Sequence, residues 1–305
     1  MSAKPLISFD PRGVFTALVT PFSADGSIDF GAYRALCERQ VAAGVALVPC
    51  GTTGETPTLT HEEDARLIAT AVEVAAGRVP VLAGTGSNAT KTAIANTRRA
   101  ADMGADGALV VTPYYNKPPQ ASLLAHFRAV ADEGGLPVVL YNVPGRTSCR
   151  INADTIIRLA EHPNIVAIKE ASGDLDLLQE IINGVPAGFR VLSGDDAWTL
   201  TTLLLGGDGI VSVASNVIPR AMMRLVGAAT ARDLDAARAV QKRLLPLFRA
   251  LFLTTNPIPV KRALALGGHM GPDVRLPLTA DAMDDAQLAS LRAALERALA
   301  VEAEC

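Results

Sequence analysis

Aromatic side chains are scarce, 4% of the chain with four tyrosines and one tryptophan, so every tyrosine near a candidate site carries weight. The four cysteines, Cys37, Cys50, Cys149 and Cys305, are scattered and form no CxxC pair. That argues against a disulfide framework or structural zinc and leaves isolated thiols as the expectation. His61, His126, His162 and His269 are equally dispersed and show no HExxH spacing, so no metal is expected. Charge of one sign is also lacking: 28 Lys and Arg against 31 Asp and Glu leave a net charge of −3. A surface this balanced argues against nucleic acid and anionic membranes as partners. No apolar window reaches the length of a spanning helix, and the first ten residues have no apolar core of signal-peptide length. A cytoplasmic protein is expected on that ground. A complete GxGxxG is missing too. Gly84-Thr-Gly-Ser-Asn-Ala89 is a partial look-alike, and Gly-rich turns at strand ends occur in any α/β fold.

What the chain does have is one phrase repeated. Apolar, β-branched runs at residues 13–20, 45–48, 79–83, 108–111, 137–141, 165–170, 190–193 and 209–213 read as strands. Between them lie segments with helical periodicity. Residues 29–43 end at Gly44. Thr60-His-Glu-Glu63 is a capping box that opens a helix running to about Gly77. Asn88 and Asn152 are read as caps of further helices, and residues 122–132, 174–182 and 197–205 as helices. Met103-Gly-Ala-Asp-Gly-Ala-Leu-Val-Val111 and Leu205-Gly-Gly-Asp-Gly-Ile-Val-Ser-Val213 echo each other, as two copies of one helix-to-strand unit would. About eight strands, each followed by a helix, predict a (β/α)8 TIM barrel over residues 1–230. A doubly wound open sheet is the competing architecture. Residues 231–305 carry no further strand, and 233–253, 259–266 and 279–300 read as helices of a C-terminal appendage. The hydrophobic fraction of 49% over 305 residues is ample for such a core.

The residue that stands out is Lys169, near the end of Ile165-Val-Ala-Ile-Lys-Glu170. A strand covered on both faces has little reason to carry a cation. In an apolar setting an ammonium either finds a partner or gives up its proton, and a free amine is the nucleophile of Schiff-base chemistry. A salt bridge at the strand end is the competing reading. Glu170, next in sequence, should point the opposite way and serve structure.

Active sites of barrels lie at the C-terminal ends of the strands, and those ends hold reactive groups. Cys50-Gly-Thr-Thr-Gly-Glu55 can aim N–H and hydroxyl groups at a carboxylate. Thr112-Pro-Tyr-Tyr-Asn-Lys117 brings two adjacent phenols, of which at most one can face its own barrel mouth. Tyr141-Asn-Val-Pro-Gly-Arg146 brings a phenol for proton transfer and a guanidinium for a carboxylate. Ser193-Gly-Asp-Asp196 follows the seventh strand; its acids read as a helix N-cap or, alternatively, as metal ligands.

These motifs, with Asn256-Pro-Ile-Pro-Val-Lys261, closely resemble the dihydrodipicolinate synthase family, within the wider superfamily of pyruvate aldolases that includes N-acetylneuraminate lyase. The resemblance runs in order from about Gly13 to Leu278. It implies a lyase with no cofactor, condensing pyruvate with L-aspartate-4-semialdehyde on the route to diaminopimelate and lysine. Lys169 would form the imine. Tyr141, Thr52 and Tyr115 would relay protons, with Tyr115 supplied across the interface of a homo-oligomer built as a dimer of dimers. Thr53 would hold the pyruvate carboxylate, Arg146 the semialdehyde carboxylate, and Gly194 and Val211 would line the pyruvate pocket. His61, Asn88 and Tyr114 match part of the family's lysine effector site. Asp64 and Thr92 stand where sensitive members have histidine and glutamate, so weak or absent feedback by lysine is expected. A sugar-acid aldolase of the same superfamily and a non-catalytic keto-acid sensor are the alternatives. Arg146 speaks against the first, and the joint presence of Thr52, Tyr115, Tyr141 and Lys169 against the second.

Overall fold

The computed structural model describes residues 9–305; the start of the N-terminal leader, residues 1–8, lies outside the described residues. Eight strands follow in chain order: β1 (Gly13–Ala17), β2 (Ala46–Val48), β3 (Leu82–Gly84), β4 (Gly107–Val111), β5 (Val138–Asn142), β6 (Ile165–Glu170), β7 (Arg190–Ser193) and β8 (Gly209–Ser212). All pair in parallel, in the order β2-β1-β8-β7-β6-β5-β4-β3. The two ends of that order meet. Leu47 and Val81 form a parallel bridge, the Leu47 N–H donates to the Pro80 carbonyl at 3.0 Å, and the Gly84 N–H donates to the Pro49 carbonyl at 2.9 Å. The sheet therefore closes into a barrel, and helices cover its outside, as parallel crossovers require.

Local signals explain the element boundaries. Thr60 Oγ1 accepts from the Glu63 N–H while Glu63 returns a bond to the Thr60 N–H, and Asp29, Asp174 and Asp233 cap their helices in the same sense. The echoed repeats do the same work twice. Asp106 accepts from the Val81 N–H at 2.8 Å, and Asp208 accepts from the Val191 N–H at 3.0 Å. Each aspartate thus ties the start of its own strand to the entrance of the strand before it.

Two expected boundaries differ. Asn88 is not a cap: the helix Thr90–Asp102 begins two residues later, its cap position is Ala89, and Ser87 Oγ takes the Ala89 N–H. The last helix, Asp285–Ala303, begins later than residue 279 because Asp284 and Gln287 form a capping box there. Upstream of that box the Ala280 carbonyl is held by Arg262 at 2.6 Å. Asn152 does hold the cap position of Ala153–Ala160, but without a side-chain bond.

Strand alternation sorts the core. Phe15, Ala17, Val48, Leu109, Val139, Tyr141, Ala167, Leu192 and Val211 pack together inside the barrel. Leu140, Ile168 and Val191 face the outer helices. The helices Pro219–Thr230, Leu234–Ala250, Ile258–Leu266 and Asp285–Ala303 share one apolar cluster with Val14 of β1 and Ile210 of β8. The C-terminal appendage is thus packed into the flank of the barrel, consistent with the apolar stripes read in the sequence.

His126, on the helix Gln120–Glu133, shows how burial sets pH dependence. Its Nδ1 lies 2.9 Å from Thr90 Oγ1, its Nε2 has no partner, and desolvation pulls it down to about 4. A folded value below the ordinary 6.5 means that the unfolded chain binds the extra proton as pH falls from 6.5 to 4, and stability is lost across that window. Asp196, raised to about 6 by burial, runs the opposite way, losing stability as pH rises from 3.8 to 6. A substitution at His126 separates the two. His126→Asn, which keeps a partner for Thr90, is expected to remove an acid-side loss on the order of 2–3 kcal/mol, read as a flatter Tm between pH 6.5 and 4 than the parent shows.

Candidate active site

Five of the six residues of β6 are buried. Because side chains alternate along a strand, Ala167 and Lys169 face the barrel interior while Ile168 and Glu170 face out. The register pairs Lys169 with Tyr141 on β5. The Lys169 Nζ, on a side chain only 5% exposed, sits 4.1 Å from the centre of the Tyr141 ring. Among the described residues the one lysine in an ion pair is Lys261, so the salt-bridge reading of Lys169 has no support. Glu170 behaves as its phase requires. It accepts from Asn142 Nδ2 at 2.8 Å and from the Ser172 N–H at 2.6 Å, and burial raises its carboxyl above the ordinary range.

Space for the lysine stem is left by a missing side chain. A Cβ on Gly194, just past β7, would lie 2.6 Å from Ala171 Cβ, 3.0 Å from Lys169 Cε and 3.1 Å from the Glu170 carbonyl oxygen. Glycine allows this approach and alanine does not.

The turn after β2 is a single tight helical turn, Thr52–Gly54. It is pinned from outside its own strand: the Thr20 hydroxyl donates to the Gly54 carbonyl at 2.7 Å, and Asn256 Nδ2 donates to Thr53 Oγ1 at 3.0 Å. The partial nucleotide-binding motif has a packing explanation. A Cβ on Gly84 would fall 2.1 Å from the Cys50 carbonyl oxygen, and one on Gly86 would fall 2.5 Å from the Val111 nitrogen. These glycines let three strand ends crowd together.

One cavity of about 350 Å³ opens at this end of the barrel, and Lys169, Tyr141, Thr52, Thr53, Arg146 and Tyr114 line it. His61, Asp64 and Thr92 line the same cavity. The structure therefore joins the candidate catalytic and effector residues in one space, which their separate motifs did not reveal. Burial raises the Asp64 carboxyl to about 6, and its Oδ1 has no hydrogen-bond partner. Asn88 is half-buried but not part of this lining; its carbonyl accepts from Asn116 Nδ2 at 2.8 Å. Val211 belongs to the inner apolar core beside Tyr141 and likewise does not line the cavity. The paired phenols do part, though not by strand alternation: both lie past the end of β4, Tyr114 lines the cavity while 41% exposed, and Tyr115, turned into the left-handed region at φ 72°, is 89% exposed. Arg146 is exposed at the rim, with Nη2 3.4 Å from the Asn256 carbonyl oxygen.

The acids after β7 are occupied by protein donors. Asp195 accepts from the Ala197 N–H at 2.9 Å and caps a short helical turn, as expected. Asp196 is buried and accepts from Ser212 Oγ and from the Val213 and Ala214 N–H groups, tying the end of β7 to the end of β8. Two residues that touch the turn or the rim, Asn256 and Lys261, were visible only as part of a motif. A polar residue before a proline and a lone lysine in a helical segment both read as surface, yet they are 5% and 0% exposed.

The chain is similar to known proteins along nearly all its length. The model of the dihydrodipicolinate synthetase family matches residues 10–298. The 4-hydroxy-tetrahydrodipicolinate synthase of Thermosynechococcus vestitus is 49% identical over 285 residues, covering 93% of this chain and 96% of the relative. The crystal structure of dihydrodipicolinate synthase from Aquifex aeolicus superposes with a TM-score of 0.91 at 46% identity, covering 94% of this chain and 97% of the other. That of the Acinetobacter baumannii dihydrodipicolinate synthase complexed with pyruvate gives a TM-score of 0.91 at 43% identity, covering 94% and 98%.

The crowding at Gly194 yields a direct test of the site's geometry. Gly194→Ala displaces the Lys169 stem, and turnover is expected to fall about 100-fold with the far-UV circular dichroism spectrum unchanged. Parental turnover in this variant would mean that the stem has room to spare.

Proposed function

Because the chain belongs to the dihydrodipicolinate synthetase family, we propose that it condenses pyruvate with L-aspartate-4-semialdehyde to 4-hydroxy-tetrahydrodipicolinate, on the route to diaminopimelate and lysine, with Lys169 as the imine-forming amine. It is a lyase of the class I aldolase type. The observation that carries the assignment of Lys169 is its placement: a buried amine without a carboxylate partner, against the Tyr141 ring, in a cavity lined by hydroxyls and an arginine.

The chemistry follows from those groups. The Lys169 amine adds to the pyruvate ketone, and loss of water leaves an imine. The imine draws electrons from the neighbouring methyl group, which gives up a proton and becomes the nucleophilic carbon of an enamine. That carbon attacks the aldehyde of the second substrate, and the new alkoxide takes up a proton. The second substrate's own amino group then displaces Lys169 from the imine carbon, closing the ring and freeing the amine. Thr53 and the N–H groups of its turn hold the pyruvate carboxylate, which also fixes the ketone against Lys169. Tyr141 and Thr52 line the cavity beside the amine and carry protons to and from these intermediates. Gly194 borders the lysine stem, and Val211 packs behind the pyruvate position in the inner core.

Tyr115 is the third member of the relay, reaching the site of a neighbouring copy. Its phenol, 89% exposed beside the cavity-lining Tyr114, supports this, and the assembly is a dimer of dimers. No helix among the described residues is long and apolar enough to cross a membrane, in keeping with a cytoplasmic enzyme. His61 and Tyr114, with Asn88 outside the cavity lining, make up a residual lysine site in which Thr92 offers no charge for an amino group.

A steady-state assay with pyruvate and either aspartate semialdehyde or 2-keto-3-deoxy sugar acids tests the assignment, since turnover confined to the sugar acids would overturn it. Arg146→Lys, which loses the two-pronged hold on a carboxylate, is expected to lower kcat/KM for the semialdehyde by about 10–100-fold. In the same assay lysine at sub-millimolar concentration is expected to leave at least half of the activity; stronger inhibition contradicts the residual-site reading.

A further inference from the structure

Lys261 is the most completely buried charge in the described chain, yet it is not a lining residue of the cavity. It lies on the helix Ile258–Leu266, at 0% exposure, paired with the Glu55 carboxylate, which is itself 3% exposed. Its Nζ also donates to the Asp273 carbonyl at 2.8 Å and sits 4.1 Å from the centre of the Phe22 ring. The second Glu55 oxygen accepts from the Arg275 N–H at 2.9 Å. Burial pulls Lys261 down to about 8 in spite of the Glu55 charge. A buried pair of this kind costs several kcal/mol of desolvation per ion and is weak evidence for stability as such, so its position needs another reason.

That position is the residue immediately after the Thr52–Gly54 turn. Glu55 has φ 57°, a left-handed conformation uncommon for a residue with a side chain and one that persists only when the surroundings over-determine it. Its carboxylate is what the surroundings grip. On one side of the turn Thr20 holds the Gly54 carbonyl and Asn256 holds the Thr53 hydroxyl. On the other, Lys261 and the Arg275 N–H hold Glu55.

We propose that the Glu55–Lys261 pair is a positioning device for the keto-acid site: the C-terminal appendage reaches through Lys261 into the barrel and fixes the turn whose Thr53 hydroxyl and N–H groups bind the pyruvate carboxylate. The inference rests on the reading of Lys169 and Thr53 given under Proposed function. Lys261 never touches substrate. Its removal loosens the turn, and pyruvate affinity falls while the amine of Lys169 keeps its reactivity.

The experiment is borohydride trapping of the pyruvate imine on the full-length protein across a pyruvate titration. In Lys261→Met, which keeps the stem and drops the charge, the pyruvate concentration for half-maximal trapping is expected to rise about ten-fold or more. The extent of trapping at saturating pyruvate and the KM for the semialdehyde stay within about two-fold of the parent. Glu55→Gln, which keeps an acceptor for the Arg275 N–H, should shift the half-saturation in the same direction, and it carries the test if Lys261→Met does not fold. An unchanged half-saturation for pyruvate in the folded variants, whatever happens to Tm, overturns the proposal. A parent protein that is not trapped at Lys169 overturns the underlying reading instead, and it does so before any variant is made.

Discussion

Among the described residues two lysines are buried, and the difference between their surroundings organises the rest of the site. An ammonium removed from water pays a desolvation cost of several kcal/mol unless charge and hydrogen bonds compensate it. Lys261 is met by a carboxylate, a carbonyl and a ring, although burial still outweighs them and pulls it down to about 8. Lys169 has the Tyr141 ring alone, a cation–π contact worth about 0.5–2 kcal/mol, and an open cavity. A buried amine so thinly compensated is placed for a covalent partner, and everything around it serves that placement. The parallel register puts Tyr141 opposite it, the barrel closes on all sides of its stem, and Gly194 leaves the width it needs.

The barrel does not complete the site by itself. The hydroxyl-bearing turn after β2 is fixed from the segment after β1 through Thr20 and from the C-terminal segment through Asn256, Lys261 and Arg275. Arg275 also clamps Glu63 and the Thr58 carbonyl, so the loop from the turn to the following helix is held along its length. The helices past residue 230, which the sequence offers only as apolar stripes, act as the wall against which this loop is set. The appendage and the first half of the barrel are thereby coupled through charge as well as through a shared apolar cluster.

How much of this was legible in the sequence depends on the range of the interaction. Strands showed themselves because a strand buried on both faces needs an unbroken apolar run, and Lys169 showed itself by interrupting one. Alternation alone assigned Lys169 inward and Glu170 outward; Tyr114 and Tyr115 part because Tyr115 leaves the extended conformation at φ 72°, a turn the sequence does not announce. The aspartates of the echoed repeats were visible as a pattern, but their shared task, an N–H of the preceding strand, appears only once the strands are neighbours. The cap at Asn88 failed because Ala89 stays extended, at φ −119° and ψ 122°, so the helix starts one residue too late for Asn88 to hold its cap position. Lys261 stayed hidden because a single cation on a helix usually faces water, and nothing local says that a glutamate some two hundred positions earlier will meet it. The meeting of Lys169, Tyr141 and Thr52 with His61 and Tyr114 in one cavity is likewise a property of closure and not of any motif.

The central claim is that Lys169 forms the covalent intermediate. Incubating the protein with pyruvate, reducing with borohydride and locating the modified lysine by peptide mass analysis tests it most directly. The account predicts one carboxyethyl group, on the peptide that contains Lys169 and at that residue. An unmodified Lys169, or modification at Lys261 in its place, would contradict it.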